Sequence, residues 1–267
     1  MKDFEISHGS IMGSDHVWSR KNNQDSFAFI KTAEYIVAVI CDGCSSGPNN
    51  EVGAKLGAVL LARMIAAQLK FNNECLDSDE CTCFVWPVIK TRALGQMQNW
   101  ADTVGALDPC GFVDPAFVND YLLFTSVCAV VTPSYAEFAV FGDGYVAVNS
   151  HVKKIGPFEG NAPPYLGYCL LKKKTSLPEE VLQFRVTHAL PTDELENFVV
   201  ASDGIAGLEK LGEEFDPSAL WKHDSFFNNQ DAARRFLVKA SGGVNRVFPS
   251  VLQDDTTFVA CRRRNPC

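Results

Sequence analysis

The chain is short of positive charge: its 267 residues carry 24 Lys and Arg against 32 Asp and Glu, a formal net charge of -8. A nucleic-acid binder needs a basic face to displace counterions, so that class of partner is excluded. The closing Arg262-Arg263-Arg264 is too short to reverse the balance. Long apolar runs are missing as well. No unbroken stretch approaches the roughly 20 residues that span a bilayer, which predicts no membrane partner. Met1–Ser10 alternates polar and apolar residues and lacks the apolar run of a signal peptide, so the expected location is cytoplasmic. Histidines number only five, none at metal-binding spacing. Of the ten cysteines, Cys41-x2-Cys44 and Cys81-x-Cys83 lack the second pair of a zinc ribbon and read as reduced thiols. Repeats, low-complexity tracts and a dividing linker are also absent, and residues 1–267 are expected to form a single domain.

What is present is a globular composition, 46% hydrophobic and 21% charged, at a length that supports a large core. Apolar or alternating runs predict strands at Ser26–Lys31, Tyr35–Cys41, Leu122–Thr132, Tyr135–Phe141, Tyr145–Asn149, Asn197–Ala201 and Thr257–Cys261. Thr132-Pro133-Ser134 breaks two of them into an antiparallel pair. Helical spacing runs from a cap at Asn49 or Asn50 to about Leu69, then over Trp86–Ala101, Ser218–Phe227 and Asp231–Val244. Asn72–Cys83 reads as an acidic loop, and Gly156–Pro191 as a long surface excursion. Grouped strands and helices, without strict alternation, point to an α+β fold.

One local pattern recurs. An apolar strand ends in a small residue, Asp and Gly at Cys41-Asp42-Gly43, Gly142-Asp143-Gly144 and Ser202-Asp203-Gly204. Two further acidic points, Asp25 and Asp254-Asp255, stand just before strands. Asp-Gly is a common turn dipeptide, but acids gathered at one rim of a sheet would repel one another and need compensation. Oxygen-only ligands select a hard divalent cation, Mg2+ or Mn2+. Two cations sharing an Asp bridge would let a bound water act as nucleophile near neutral pH, which suits a phosphoester. Arg20, five residues before Asp25, is available to clamp the phosphate.

The ordered motifs Arg20-Lys21-Asn22-Asn23-Gln24-Asp25-Ser26, Cys41-Asp42-Gly43, Gly142-Asp143-Gly144, Ala201-Ser202-Asp203-Gly204 and Asp254-Asp255-Thr256-Thr257 resemble those of metal-dependent protein serine/threonine phosphatases. That family is protein phosphatase 2C, the PPM type, and the chain looks like a bacterial member over about Gly9–Arg262. The resemblance implies a four-layer α-β-β-α sandwich of two antiparallel sheets flanked by helices. It implies that Asp42 bridges two Mn2+ or Mg2+ ions, with the Gly43 carbonyl on one, and that Asp203 and Asp254 complete the other. Asp25 would hold metal-bound water, Arg20 the substrate phosphate, and Asp143 with Asp203 a weaker third ion. Residues 156–191 would form the family's variable flap. The implied activity is hydrolysis of phosphoserine and phosphothreonine in a protein substrate by a metal-bound hydroxide, opposite a serine/threonine kinase in signalling.

Two departures from the family stand out. Cys44 lies where many members carry a candidate acid His, so leaving-group protonation falls to water or another group. Gly144-Tyr145 follows Asp143 where Ser-Arg is common. These motivate an alternative, a phosphatase-like regulatory binding protein without turnover. A further rival is a serine hydrolase, since Gly43-Cys44-Ser45-Ser46-Gly47 fits a nucleophile elbow with Asp203 and His223 following in order. Against it, Pro48-Asn49-Asn50 intervenes where the helix should begin.

Overall fold

A computed structural model describes residues 1–75, 86–171, 177–242 and 250–264 of the protein. Among them, ten strands form two antiparallel five-stranded sheets. The first sheet runs β1 (Phe4–Ile11), β10 (Thr256–Arg263), β9 (Asn197–Ala201), β6 (Gly144–Val148), β7 (His151–Ile155). The second runs β2 (Asp25–Lys31), β3 (Ile36–Gly43), β4 (Phe124–Val131), β5 (Tyr135–Phe141), β8 (Arg185–Pro191).

The period of two along each buried strand divides the core. From β3, Ile36, Ala38 and Ile40 face the first sheet and meet Phe198, Val200 and Val259. The alternate residues Val37, Val39 and Cys41 face outward onto helices. Those helices are α2 (Asn50–Cys75) and α3 (Trp86–Thr103), which contribute Ala54, Leu61, Ile65, Ile89 and Met97. The outer face of the first sheet is covered by α5 (Asp224–Asn228), α6 (Ala232–Ala240) and 3-10 turns through Ile205, Leu208, Leu220 and Leu237. The result is the four-layer α-β-β-α sandwich that the motifs implied. Two short helices, α1 (Ser14–Ser19) and α4 (Pro115–Tyr121), lie in connections.

Several expectations need correction. β1, β7, β8, α1 and α4 were not predicted, and β8 occupies the end of the supposed excursion. Asn72–Cys75 extends α2 where a loop was expected, while the rest of that loop, with Cys81 and Cys83, lies outside the described residues, as does Val244. Ser218–Phe227 divides into a 3-10 turn, Pro217–Lys222, and α5. Asn50 opens α2, but its side chain is used elsewhere: its Nδ2 donates to the carbonyls of Cys44 and Asn119, and its Oδ1 accepts from Leu123 N at 3.1 Å. By composition α2 is long and apolar enough over Asn50–Phe71 to cross a bilayer, which counting unbroken runs overlooked. More than half of that stretch is buried within the fold.

Candidate metal centre

The strand-end acids meet where the two sheets open at one end of the sandwich. Asp25 and Asp42 stand directly opposite each other in the β2–β3 register, and Thr125 faces Asp42 from β4. Asp143 sits in the link that carries the chain from β5 in one sheet to β6 in the other. Its flanking glycines take φ of 88° and 141°, and a side chain on Gly142 would collide with Thr125. Asp203 follows β9 and Asp254 precedes β10, both in the first sheet. Asp42, Gly43, Asp143, Asp203 and Asp254 line one cavity of about 30 Å³, together with Ser45, Thr125, Asn161, Pro163 and Tyr165. All five predicted ligand positions therefore converge. Asn161, Pro163 and Tyr165 of the segment 156–191 are thus beside the acids.

Asp25 and Arg20 lie outside that wall. Asp25 is buried behind Asp42; its Oδ2 accepts a 2.6 Å hydrogen bond from Ser202 Oγ, and its Oδ1 has no partner. Arg20 closes α1 at φ 59°, exposed, with no ion pair among the described residues. Its neighbour Lys21 donates through Nζ to the Ser45 carbonyl, so a cation borders the cavity mouth.

Charge repulsion is written into the acids. Burial, reinforced by Asp25 and Asp203, pushes Asp42 far above the usual carboxylate range. Burial and Asp255 do the same to Asp25. Asp143 is pushed up to about 7 by burial and Asp203. Asp254 is also shifted upward, by partial desolvation in the cavity and by Asp203, although much of its surface stays open to water. Asp203 is raised by burial, and a hydrogen bond from the Asp42 carboxyl opposes that shift. Acids crowded and desolvated in this way mark a place suited to positive charge.

A second, unpredicted cluster supports the first. Asp255 is not directed to the cavity. Its Oδ1 accepts from Gly13 N at 2.7 Å, and its Oδ2 accepts from His16 Nδ1 at 2.8 Å and Gln24 N at 2.5 Å. One buried carboxylate thus ties down the segment that carries Arg20 and Asp25. Its hydrogen bond raises the His16 pKa and keeps the ring cationic over a wider pH range.

Among the described residues, no three His, Cys, Asp or Glu side chains are drawn together as a ready-made metal cage. The donor set nevertheless fits a hard divalent cation. It is oxygen-only, the cavity is sized for small hydrated species, and the buried Oδ1 atoms of Asp25 and Asp203 lack partners. A larger cavity of about 380 Å³, lined by Ser10, Val17, Asn23 and Arg234, contains none of these acids. The serine-hydrolase triad is not assembled. Ser45 lines the acidic cavity, but His223 stacks on Phe226 and packs at a tilt against Phe236, in the helical layer over the first sheet.

Comparison with known proteins follows the same line. The family model described as Protein phosphatase 2C matches residues 12–240. A bacterial serine phosphatase shares the fold at a TM-score of 0.56 and 15% identity, covering 99% of both chains. Serine/threonine phosphatase Stp1 from Staphylococcus aureus aligns at 0.52 and 13% identity, covering 98% of this chain and 96% of that one. The catalytic domain of serine threonine protein phosphatase PstP, in complex with 2 manganese ions, aligns at 0.51 and 10% identity, covering 98% and 99%. No curated protein matches the sequence. With the family model spanning most of the chain and the acids of its motifs gathered in one cavity, the protein belongs to the protein phosphatase 2C family.

Proposed function

We propose that the protein is a metal-dependent phosphatase that hydrolyses phosphoserine and phosphothreonine in a protein substrate, opposing a serine/threonine kinase. The observation that carries this reading is the convergence of Asp42, Asp143, Asp203 and Asp254 on one cavity. Bound Mn2+ or Mg2+, two ions and a weaker third, would cancel this charge, polarise the phosphoryl oxygens and activate water near neutral pH. Asp42, Asp203, Asp254 and the Gly43 carbonyl would hold the first two ions, and Asp143 with Asp203 the third. Asp25, behind Asp42, would orient the attacking water, and Arg20 would swing onto the phosphate from the end of α1. Water oxygen adds to phosphorus as the ester P–O bond breaks. The serine or threonine oxygen takes its proton from solvent, since Cys44 is buried against Ser46 Oγ at 3.0 Å and does not line the cavity.

The test is turnover of p-nitrophenyl phosphate and a phosphothreonine peptide with Mn2+, in wild type and Asp42→Asn. Loss of a ligand shared by two ions removes several kcal/mol of transition-state stabilisation, or at least about a hundredfold in rate. Equal turnover in both proteins, or none in wild type at saturating metal, defeats the proposal. One observation favours a binding protein without turnover: Cys44, at the position of the family's acid His, is buried against Ser46 and does not line the cavity. Tight phosphopeptide binding without release of phosphate would establish that second reading.

A further inference from the structure

Beside the acidic cavity lies a second one of about 210 Å³. It opens between the β6–β7 hairpin and the 3-10 helix Asp203–Leu211. Asp143 and Asp203 line both cavities and form their common wall. Away from that wall the lining changes character, to Tyr145, Ile155, Pro157 and Ala206. Lys154 stands at its edge, paired with Glu209 of the 3-10 helix at 2.5 Å, so the ion pair bridges the two elements that frame the space.

We infer that this cavity is a substrate subsite for one apolar side chain, leucine-like or aromatic, close in sequence to the phosphorylated residue. The inference rests on the phosphatase reading for its occupant. A phosphoryl group held by the acids' cations sits on one side of the Asp143–Asp203 wall, and a neighbouring side chain of the same polypeptide reaches over it. The volume corresponds to several waters at roughly 30 Å³ each, enough for one such side chain. Tyr145, buried at 2% exposure, gives a rigid aromatic lining. With Lys154 already paired with Glu209, and Asp143 and Asp203 forming the wall taken up by the acids' cations in that reading, a charged side chain gains little from the rest of the lining. Away from the Asp143–Asp203 wall, Tyr145, Ile155, Pro157 and Ala206 reward apolar burial.

The experiment uses phosphothreonine peptides in which each of the two residues on either side of the phosphothreonine is Gly or Leu, one position at a time, with Mn2+. p-Nitrophenyl phosphate serves as a substrate too small to reach the subsite. An apolar pocket discriminates by roughly 10–200-fold, so Leu at one position should raise kcat/KM at least about tenfold over Gly. Ala206→Phe, which fills the space, should erase that preference while p-nitrophenyl phosphate turnover persists and reports a folded enzyme. Hydrolysis of every peptide at the same kcat/KM overturns the subsite and leaves the phosphatase reading intact. If wild type hydrolyses none of the esters, the phosphatase reading fails instead. Calorimetric affinities of the same peptides then decide the subsite: tighter binding of one Leu peptide supports it, and equal Kd across the series overturns it.

Discussion

His16 and Asp255, 239 positions apart in sequence, meet at 2.8 Å in the interior, and the same carboxylate also accepts the backbone N–H groups of Gly13 and Gln24. The segment bearing Arg20 and Asp25 is thereby anchored next to Asp254. Removing the acceptor strands three buried donors, whereas removing the imidazole leaves both carboxylate oxygens bonded, Oδ1 to Gly13 N and Oδ2 to Gln24 N. Asp255→Ala is expected to lose about 3–5 kcal/mol and His16→Ala about 1–3 kcal/mol. Urea unfolding in chelator measures both, and equal losses would show that the carboxylate is not the hub.

Metal-free protein should become less stable as pH rises. Burial raises Asp25, Asp42 and Asp143 in the folded state, Asp143 to about 7 from an ordinary 3.8. Between those values the folded chain keeps protons that the unfolded chain has released, so the unfolding free energy falls with pH through that window. Mn2+ replaces the protons, and its stabilisation should grow from pH 5 to pH 8. Thermal melts in EDTA and in Mn2+ test this; a midpoint in EDTA that rises between pH 5 and 7 contradicts it.

Gly204 lies against the carbonyl of Asp255, and a methyl group there would fall onto that oxygen. Its φ is not positive, so the constraint is steric and not conformational. Gly204→Ala should cost about 1–3 kcal/mol and, by displacing the Asp254–Asp255 backbone, weaken Mn2+ binding as well. Calorimetric titration separates the two effects. Unchanged affinity in a destabilised variant would confine the clash to folding.

Glu137 on β5 is half-buried, raised by that burial, and accepts from the Trp86 indole. Glu137→Gln keeps the acceptor and removes the charge. Its stabilising effect should be present at pH 7.5 and vanish below about pH 4.5, where the acid is protonated in both states. A variant less stable than wild type at pH 7.5 would refute the account.

The central strands were legible because β3, β4 and β9 are buried on both faces and read as continuous apolar runs. The strands without a clear sequence signal, β1, β7 and β8, are all sheet edges. Edge strands carry polar and charged residues that discourage further pairing, as His151-Val152-Lys153-Lys154-Ile155 shows. In β1 only Phe4 and Ile6 keep the period of two, while Ile11 lies on the opposite face, so the apolar run is too short to specify a strand. In the site, the Asp-Gly strand ends announced Asp42, Asp143 and Asp203. Ser202 and Asp255 stood inside the motifs, but their hydrogen-bonding roles, like that of His16, come from contacts across some 180 to 240 residues that no local spacing encodes.

Asp25 and Asp42 belong to one sheet, Asp203 and Asp254 to the other, and only the two-residue passage at Gly142-Asp143 joins β5 to β6 across this end. Whatever gathers these carboxylates is therefore a clasp between two slabs that meet mainly through apolar side chains, with the Ser202–Asp25 hydrogen bond beside it. Closing the clasp would stiffen the whole slab-on-slab joint, and amide exchange should slow at Ile40 and Val200, inside the sandwich, when Mn2+ is added.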